Sequence, residues 1–191
     1  TIIAAPFGAS LLADMGARVI KVEPLDGDVY RARRGGMGAL RVNQGKESIC
    51  VDLKSEDGQA IVGDLMARAD LIIHNYRPGV PERLGIGYED AKCRNPGILY
   101  LSANGYGPKG PGAKRPSTHP IPGAAMGGAL YQSGLPVNGP LLGLDELRET
   151  ARRLMNANEV NPDPNTSMAV CAAALLGLYG KRINGQGQQI F

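Results

Sequence analysis

The sequence contains no tryptophan, two histidines and three cysteines among its 191 residues. Because His74 and His119 are its two histidines, the chain cannot form a histidine-rich metal site, and we predict that no metal is bound. Cys50, Cys93 and Cys171 lie far apart, so they form neither a zinc-ligand spacing nor a disulfide framework. Thiols without such a framework are typical of a reducing compartment, and we therefore predict a cytoplasmic protein.

Three further absences narrow the class of protein. The sequence shows no signal-peptide pattern and no apolar run long enough to cross a bilayer, so we expect no membrane partner. The net charge is +3 and the lysines and arginines are scattered, so we expect no nucleic-acid partner. The first predicted helix and strand and the turn that follows them, residues 6–27, contain no G-x-G-x-x-G motif, which disfavours a nicotinamide dinucleotide site there.

The sequence does contain helix and strand patterns that alternate along the chain. Apolar residues at helical spacing predict helices over residues 6–15, 55–69 and 88–94. Runs of branched apolar residues predict strands over residues 18–23, 47–53, 71–74 and 97–102, with another beginning near residue 189. Because this alternation is typical of parallel sheets, we predict an α/β fold with an open, mostly parallel, Rossmann-like sheet and flanking helices.

Residues 31–41, RARRGGMGALR, are both basic and rich in glycine. Their composition is typical of a flexible, solvated loop. Arginine can also bind phosphate through two parallel hydrogen bonds, so the same stretch is a candidate nucleotide-phosphate contact. Both interpretations are open from the residues alone.

The two histidines lie in different surroundings. His74 ends a predicted strand, and we expect it to be packed there rather than to act as a base. The residues that follow it, 75–77, lie where an open parallel sheet binds its ligands, at the carboxyl end of a strand. His119 lies in a long stretch rich in glycine and proline, where it is either a proton-transfer residue or a brace for the loop.

Residues 161–188 predict one helix. Asp163 is expected as its N-cap, Pro164 as its first helical residue and Gly185 as its stop. Residues 168–179 are apolar on every face, which predicts a helix buried on all sides. Asp163 is either an ordinary cap, which the frequency of aspartate at this position favours, or a nucleophile whose developing charge the helix amides would stabilise.

Residues 144–158 predict an amphipathic helix that delivers the chain to Asp163. Its charged residues are expected to face outward, and Leu147, Leu154 and Met155 are expected to face inward. The breadth of the polar face predicts an added surface element rather than part of the core.

Five stretches, taken together and in order, resemble the class III CoA-transferases, the family of formyl-CoA transferase and carnitine CoA-transferase. They are APFGASLLADMGARVIKVEP, NQGKESICVDLKSEDGQ, ADLIIHNYRPGVPERLGIGYED, NPGILYLSANGYGPKGP and LLGLYGKRINGQGQQIF. The resemblance covers nearly the whole chain. It implies transfer of coenzyme A (CoA) between carboxylic acids, with acyl-CoA and a carboxylate as substrates and no permanently bound cofactor. It also implies an interlocked homodimer, of whose large domain we expect residues 1–191 to be a fragment that lacks the first strand and the C-terminal half.

The resemblance also implies a set of site residues. In the family, the nucleophilic aspartate lies about five helical turns before an R-x-x-G-x-G-Q motif. Asp163 stands in that relation to Arg182–Gln188, RINGQGQ, and is the implied catalytic residue. The implied CoA contacts are Ile3, Ala4, Val51, Asp52, Leu53, Lys54, Asn75, Tyr76, Arg77, Arg83 and Leu84, with Arg115 as the basic loop residue.

Two alternatives remain open at this point. A CoA-thioester racemase or isomerase would exchange a proton beside the thioester carbonyl, with Asp163 and His119 as its acid–base pair. A non-catalytic CoA-binding module would use Asp163 as a helix cap. The helix over 144–158 and the two prolines around Asp163 depart from the family pattern, and they leave the acyl-group preference open.

Overall fold

The structure is a computed structural model that describes residues 2–31, 36–117, 131, 134, 139, 141–156 and 162–191. Its first elements are α1 (Ala4–Asp14), β1 (Val19–Glu23), α2 (Met37–Asn43), β2 (Lys46–Cys50), α3 (Glu56–Arg68) and β3 (Leu71–His74). They are followed by α4 (Val80–Arg83), α5 (Tyr88–Arg94), β4 (Leu99–Ser102), α6 (Leu144–Asn156), α7 (Pro162–Asn184) and β5 (Gln188–Ile190). In these ranges no helix combines the length and apolarity needed to span a membrane.

In the described part of the chain the strands form two open sheets, and every pairing within them is parallel. β1 pairs with β2, with Val19 opposite Lys46. The second sheet has the order β3-β4-β5, with Leu71 opposite Leu99 and Leu99 opposite Gln188. The predicted α/β class with parallel strands is confirmed, although the strands form two sheets rather than a single continuous one.

Helices cover both faces of the β3-β4-β5 sheet. Ile98 and Tyr100 pack into one buried cluster with Val62 of α3 and Ala91 of α5. Leu101, which points to the opposite face as successive strand residues do, packs into a second cluster. The second cluster contains Leu12 of α1 with Val170, Cys171 and Ala174 of α7. The sheet is therefore the central layer between α3 with α5 and α1 with α7.

Helix α7 buries one face rather than all of its surface. Its buried stripe contains Ser167, Val170, Cys171, Ala174 and Gly177, which recur at helical spacing. Met168, Leu176 and Tyr179 are 62%, 70% and 65% exposed. The prediction of a helix buried on all sides is therefore wrong, because α1 and the sheet contact only the stripe that faces them.

The structure corrects the predicted start of α7 and confirms its predicted end. The helix begins at Pro162, so Asp163 lies in its first turn and is not the N-cap, and Pro164 is not its first residue. At the other end, the prediction of Gly185 as the stop is confirmed. Gly185 adopts a φ of 72°, and its N–H donates to the Lys181 carbonyl at 2.8 Å.

Two other predicted boundaries are corrected by the structure. Residues 31–41 are not a continuous loop, because α2 begins at Met37 after Gly36, which has a φ of 81°. The strand predicted over residues 47–53 ends at Cys50, so Val51 to Leu53 lie beyond it.

Helix α6 confirms the helix predicted over residues 144–158 as far as Asn156; residues 157 and 158 lie outside the described ranges. Leu147 does not face inward as predicted, since it is 53% exposed. The side chains of Leu154 and Met155 also lie outside the described part of the chain. The exposure of Leu147 agrees with the prediction that α6 is a surface element.

We expect Arg148→Ala and Arg152→Ala to change the stability of the protein little. Arg148 pairs with Asp145 at 3.4 Å and Arg152 with Glu149 at 3.5 Å, and all four side chains are well exposed. Such exposed ion pairs contribute about 0–1 kcal/mol each. Thermal unfolding of each variant should give nearly the wild-type midpoint, and a large drop would mean that another surface covers this helix.

Candidate active site

The two predicted site residues Ala4 and Asp163 are joined by Ser167. The Ser167 hydroxyl lies 2.8 Å from the Ala4 carbonyl oxygen and 2.7 Å from that of Asp163, and it can donate to either. Ser167 is completely buried, so water does not compete for this proton. The amino end of α1 and the first turn of α7 are therefore held against each other, although their residues lie far apart in the sequence.

Gly8 allows this close approach of α1 to α7. A Cβ atom at Gly8 would lie 2.8 Å from Val170 Cγ1 and 2.9 Å from the Ser167 carbonyl oxygen. Both distances are shorter than carbon atoms tolerate, and the carbonyl belongs to the helix backbone. Glycine at this position therefore sets the separation of the two helices.

Helix α1 is also fixed on its other side. The buried Ser10 hydroxyl donates to the Val42 carbonyl of α2 at 2.8 Å. Lys46 Nζ donates to the Pro6 carbonyl at 2.6 Å and to the Val42 carbonyl at 2.7 Å. Burial of the Lys46 ammonium, with a smaller effect of the nearby Lys21 charge, lowers its pKa to about 8. These bonds join α1 to α2 and β2.

The predicted contacts Val51 to Lys54 form a tightly bonded connection between β2 and α3. The Asp52 carboxylate accepts from the Lys54 N–H at 2.9 Å, and the Asp52 carbonyl accepts from the Ser55 hydroxyl at 2.8 Å. Ser55 in turn caps α3 by accepting from the Gly58 N–H. Only glycine fits at position 58, where a Cβ would lie 1.9 Å from the Asp52 carbonyl oxygen.

Gln59 connects this segment with the turn that carries Arg83 and Leu84. Its side-chain amide donates to the Leu53 carbonyl at 3.2 Å. The same amide lies beside Gly85, about 3.8 Å from where a Cβ would stand. Arg83 is exposed and Leu84 is half-buried. The structure thus brings the 51–54 and 83–84 groups to neighbouring positions.

The predicted contacts Asn75 to Arg77 follow β3 at its carboxyl end. His74 Nδ1 lies 3.1 Å from the Tyr76 backbone N–H, and His74 Nε2 lies 3.0 Å from the Ser102 hydroxyl. The imidazole is stacked on the Tyr76 ring at 5.8 Å and meets the Tyr100 ring edge-on at 5.1 Å. The prediction that His74 is packed at the end of its strand is confirmed.

The stability of the protein should fall as the pH drops from about 6.5 to about 4, because burial lowers the pKa of His74 from 6.5 to about 4. Between these pH values the unfolded chain binds more protons than the folded one. The titration of His74 therefore lowers the free energy of unfolding by ~3 kcal/mol in total across this range. Above this window the contribution is fully present. Urea unfolding at several pH values checks this by comparing the wild type with His74→Phe, and a difference between them that does not change with pH would contradict it.

Arg115 is not joined to the other predicted positions by any hydrogen bond or ion pair in the described part of the chain. It is exposed, and its backbone N–H donates to the Gly112 carbonyl at 2.9 Å. His119, the predicted partner of Asp163 in proton transfer, lies outside the described residues. The metal-binding residue types show no cluster of three or more within the described ranges, and all three cysteines are free thiols.

Two arginines of the basic stretch are paired with carboxylates of the protein itself. Arg31 contacts Glu23 at 2.7 Å, and Arg41 contacts Asp14 at 3.1 Å while lying over the Phe7 ring. Although burial opposes it, the charges of Arg31 and Lys21 hold the pKa of Glu23 below its ordinary value. The phosphate interpretation of this stretch stays a prediction, and residues 32–35 lie outside the described ranges.

A family model for CoA-transferase family III matches residues 1–191, which is the whole chain. The chain belongs to CoA-transferase family III. The resemblance inferred from the five sequence stretches is thereby confirmed.

Relatives in this family carry transferase names. The chain is 41% identical over 141 residues to the acetyl-CoA:oxalate CoA-transferase of Acetobacter aceti, covering 71% of this chain and 36% of that protein. It is 32% identical over 197 residues to the beta subunit of succinyl-CoA–L-malate CoA-transferase of Chloroflexus aurantiacus, covering 100% of this chain and 45% of that subunit. The chain therefore spans less than half the length of these two curated relatives.

Solved structures share the fold. A hypothetical protein of Mycobacterium tuberculosis superposes with a TM-score of 0.79 at 29% identity, over 100% of this chain and 50% of that one. A CAIB/BAIF family protein of Brucella suis superposes with a TM-score of 0.72 at 30% identity, over 99% of this chain and 49% of that one. The arrangement of α1, α7 and the parallel strands is thus a fold that this chain shares with these two solved structures.

Proposed function

We propose that the full-length protein transfers CoA between two carboxylic acids and that Asp163 is its nucleophile. The observation that carries this proposal is the family match over the whole chain, combined with the position of Asp163 about five turns before the RINGQGQ motif. The contact of Ser167 with both Asp163 and Ala4 supports it, because a nucleophile needs a fixed position relative to its substrate.

In the first step a carboxylate oxygen of Asp163 attacks the carbonyl carbon of the acyl-CoA thioester. The carbon–sulfur bond breaks, and its electron pair leaves with sulfur as the CoA thiolate. The acyl group remains on Asp163 as a mixed anhydride. The start of α7 favours this step, because the backbone N–H groups of a first helical turn stabilise negative charge that develops on oxygen.

In the second step the thiolate attacks the aspartyl carbonyl, which forms an aspartyl-CoA thioester and releases the first acid. The acceptor carboxylate then attacks this thioester, giving a second anhydride and the thiolate again. Attack of the thiolate on the acceptor carbonyl completes the new acyl-CoA and restores the Asp163 carboxylate. These steps balance without a metal or redox group, and we propose that no cofactor is permanently bound.

The CoA groove in this proposal is formed by the groups 51–54, 75–77 and 83–84 together with Ile3 and Ala4. The placement of the 51–54 and 83–84 groups in one groove is supported by the network through Leu53, Gln59 and Gly85. The placement of Asn75 to Arg77 is supported by their position at the end of β3. Arg115 is proposed as a basic residue of the adjoining loop. We further propose a cytoplasmic homodimer, for which the scattered free cysteines and the family resemblance are the support.

Arg83→Glu should weaken CoA binding without unfolding the protein. Arg83 is exposed on α4, so its replacement disturbs little packing, while the reversed charge would repel the phosphates of CoA. Calorimetric titration with CoA checks the affinity, with Arg68→Glu on the exposed side of α3 as a matched charge reversal that should bind normally. Unchanged affinity of the Arg83 variant would remove this residue from the groove.

Isotope exchange tests the reaction class. The full-length protein is incubated with an acyl-CoA and the isotopically labelled form of its free acid, and label should enter the acyl-CoA. Loss of stereochemical purity in a 2-methylacyl-CoA without such exchange would instead favour the racemase, with Asp163 and His119 as its acid–base pair. Binding of CoA with neither reaction would favour a non-catalytic binding module.

A further inference from the structure

The imidazole of His74 connects the ends of two strands with the turn that follows the first of them. His74 and Ser102 are register partners at the carboxyl ends of β3 and β4, where the Ser102 hydroxyl lies 3.0 Å from Nε2. The other ring nitrogen, Nδ1, faces the Tyr76 backbone N–H at 3.1 Å. Because a backbone N–H can only donate, Nδ1 must be the acceptor. The neutral ring therefore carries its proton on Nε2 and donates it to Ser102 Oγ.

The His74 imidazole and the residues after it form a turn that resembles an Asx-turn. In an Asx-turn the side chain of Asn or Asp accepts the backbone N–H two residues later and thereby fixes the local chain direction. His74 Nδ1 accepts from the N–H two residues later in the same way. The interaction with Ser102 fixes the plane of the ring, and the neighbouring Tyr76 and Tyr100 rings hold it in place.

The segment that this bond fixes is short, and the chain leaves the sheet at this point. The Ala103 N–H still donates to the His74 carbonyl at 2.8 Å, which is the last ladder bond of the pair. Further along, the Val80 N–H donates to the Arg77 carbonyl at 3.1 Å, and Gly79, with a φ of 85°, precedes the first residue of α4. The Nδ1 contact thus lies between the end of the sheet and the start of the next turn.

We infer that His74 is a positioning residue, whose Nδ1 acceptor holds the Asn75–Arg77 turn in the conformation that binds CoA. This inference rests on the proposed function, since the CoA role of the turn does. His74 itself does not contact the reacting atoms. Its imidazole acts through the Tyr76 backbone, so the identity of the acceptor atom matters and the basicity of the ring does not.

Two substitutions separate the acceptor from the packing of the ring. His74→Phe keeps an aromatic ring between Tyr76 and Tyr100 but removes the Nδ1 acceptor. His74→Asn removes the ring but supplies a side-chain oxygen that can accept the Tyr76 N–H. If packing alone matters, the Phe variant should bind CoA more tightly than the Asn variant. If the acceptor matters, the Asn variant should bind CoA more tightly than the Phe variant.

The experiment is calorimetric titration of CoA into the full-length wild type and the two variants, with hydrogen exchange of the Tyr76 amide as a second measurement. We expect His74→Phe to weaken CoA binding about tenfold, as the loss of one net hydrogen bond does. We expect His74→Asn to stay within about threefold of the wild type, even where its thermal midpoint is lower. The Tyr76 amide should exchange faster in the Phe variant and stay protected in the Asn variant.

The outcomes distinguish this inference from the proposed function. If the wild type binds CoA and the Phe variant binds equally well, or if both variants lose affinity equally, the positioning role of His74 is overturned while the proposed function stands. If the wild type does not bind CoA at all, the proposed function and this inference fail together. Slow exchange of the Tyr76 amide in the Phe variant would also overturn the role of Nδ1.

Discussion

Asp163→Asn should abolish CoA exchange while leaving the protein folded. A neutral amide cannot form the acyl anhydride, and removal of a covalent nucleophile lowers turnover by about 10³-fold or more. Asp163 lies in the first turn of α7, where the loss of a favourable charge at a helix start costs about 0.3–1 kcal/mol. Isotope exchange and thermal unfolding of the full-length variant measure the two effects separately.

Asp145→Asn is the matched control for this experiment. Asp145 is also an aspartate in the first turn of a helix, α6, and its side chain is 98% exposed. It should lose a similar small amount of stability and keep full exchange activity. If Asp163→Asn retained exchange near the wild-type rate, Asp163 would be a structural residue and the nucleophile would lie elsewhere.

Gly8→Val should destabilise the protein by about 3 kcal/mol, the upper part of the range for overpacked interiors. A side chain at this position meets Val170 and the Ser167 carbonyl at distances below 3 Å, so α1 and α7 must move apart. The contact of Ser167 with Ala4 would lengthen with them, and exchange activity should fall even in the fraction that remains folded. Denaturant unfolding and exchange measured on the same samples check both effects.

Gly180→Val is the control in the same pair of helices. Gly180 lies in α7, and among the described residues no atom beyond its own stretch of helix lies within 4 Å of where its Cβ would stand. Its effect should stay within about 0.5 kcal/mol, because valine is slightly better than glycine inside a helix. A Gly8 variant that unfolds like this control would contradict the role of Gly8 in spacing the helices.

Local patterns in the sequence predicted those parts of the fold that depend on near neighbours. The run at Leu71–His74 was predicted as a strand and is one, because branched apolar residues beside a turn favour extended chain. Ser55 followed by acidic residues likewise marks the start of α3. Gly185 stops α7 because a positive φ favours glycine. Each of these signals lies within a few residues of its effect.

The burial of α6 and α7 could not be predicted in this way. Apolar composition indicates which faces can be buried, but neighbours far along the chain decide which faces are. Leu176 and Tyr179 continue the apolar surface of α7, yet the sheet and α1 contact only the opposite stripe. The same apolar pattern predicts an inner face for Leu147, which is 53% exposed.

The connections that assemble the candidate site were missed because they join distant residues through common side chains. Ser167 is one of seven serines in the sequence, and its contact with Ala4 spans 163 positions. Gly8 carries no local signal beyond its small size. The sequence predicts that His74 is a packing residue, which is correct, but its contact with the Tyr76 N–H depends on a ring orientation that Ser102 sets from another strand.

The covalent intermediate is the most direct test of the account. The full-length wild type and Asp163→Asn are each incubated with an acyl-CoA in the presence of hydroxylamine, and peptides that contain residue 163 are analysed by mass spectrometry. Hydroxylamine converts an activated aspartyl carbonyl into a hydroxamate, so the wild-type peptide should carry this modification at Asp163 and the Asn variant should be unmodified. A hydroxamate at another carboxylate, or none in a wild-type enzyme that exchanges CoA, would contradict the assignment of Asp163 as the nucleophile.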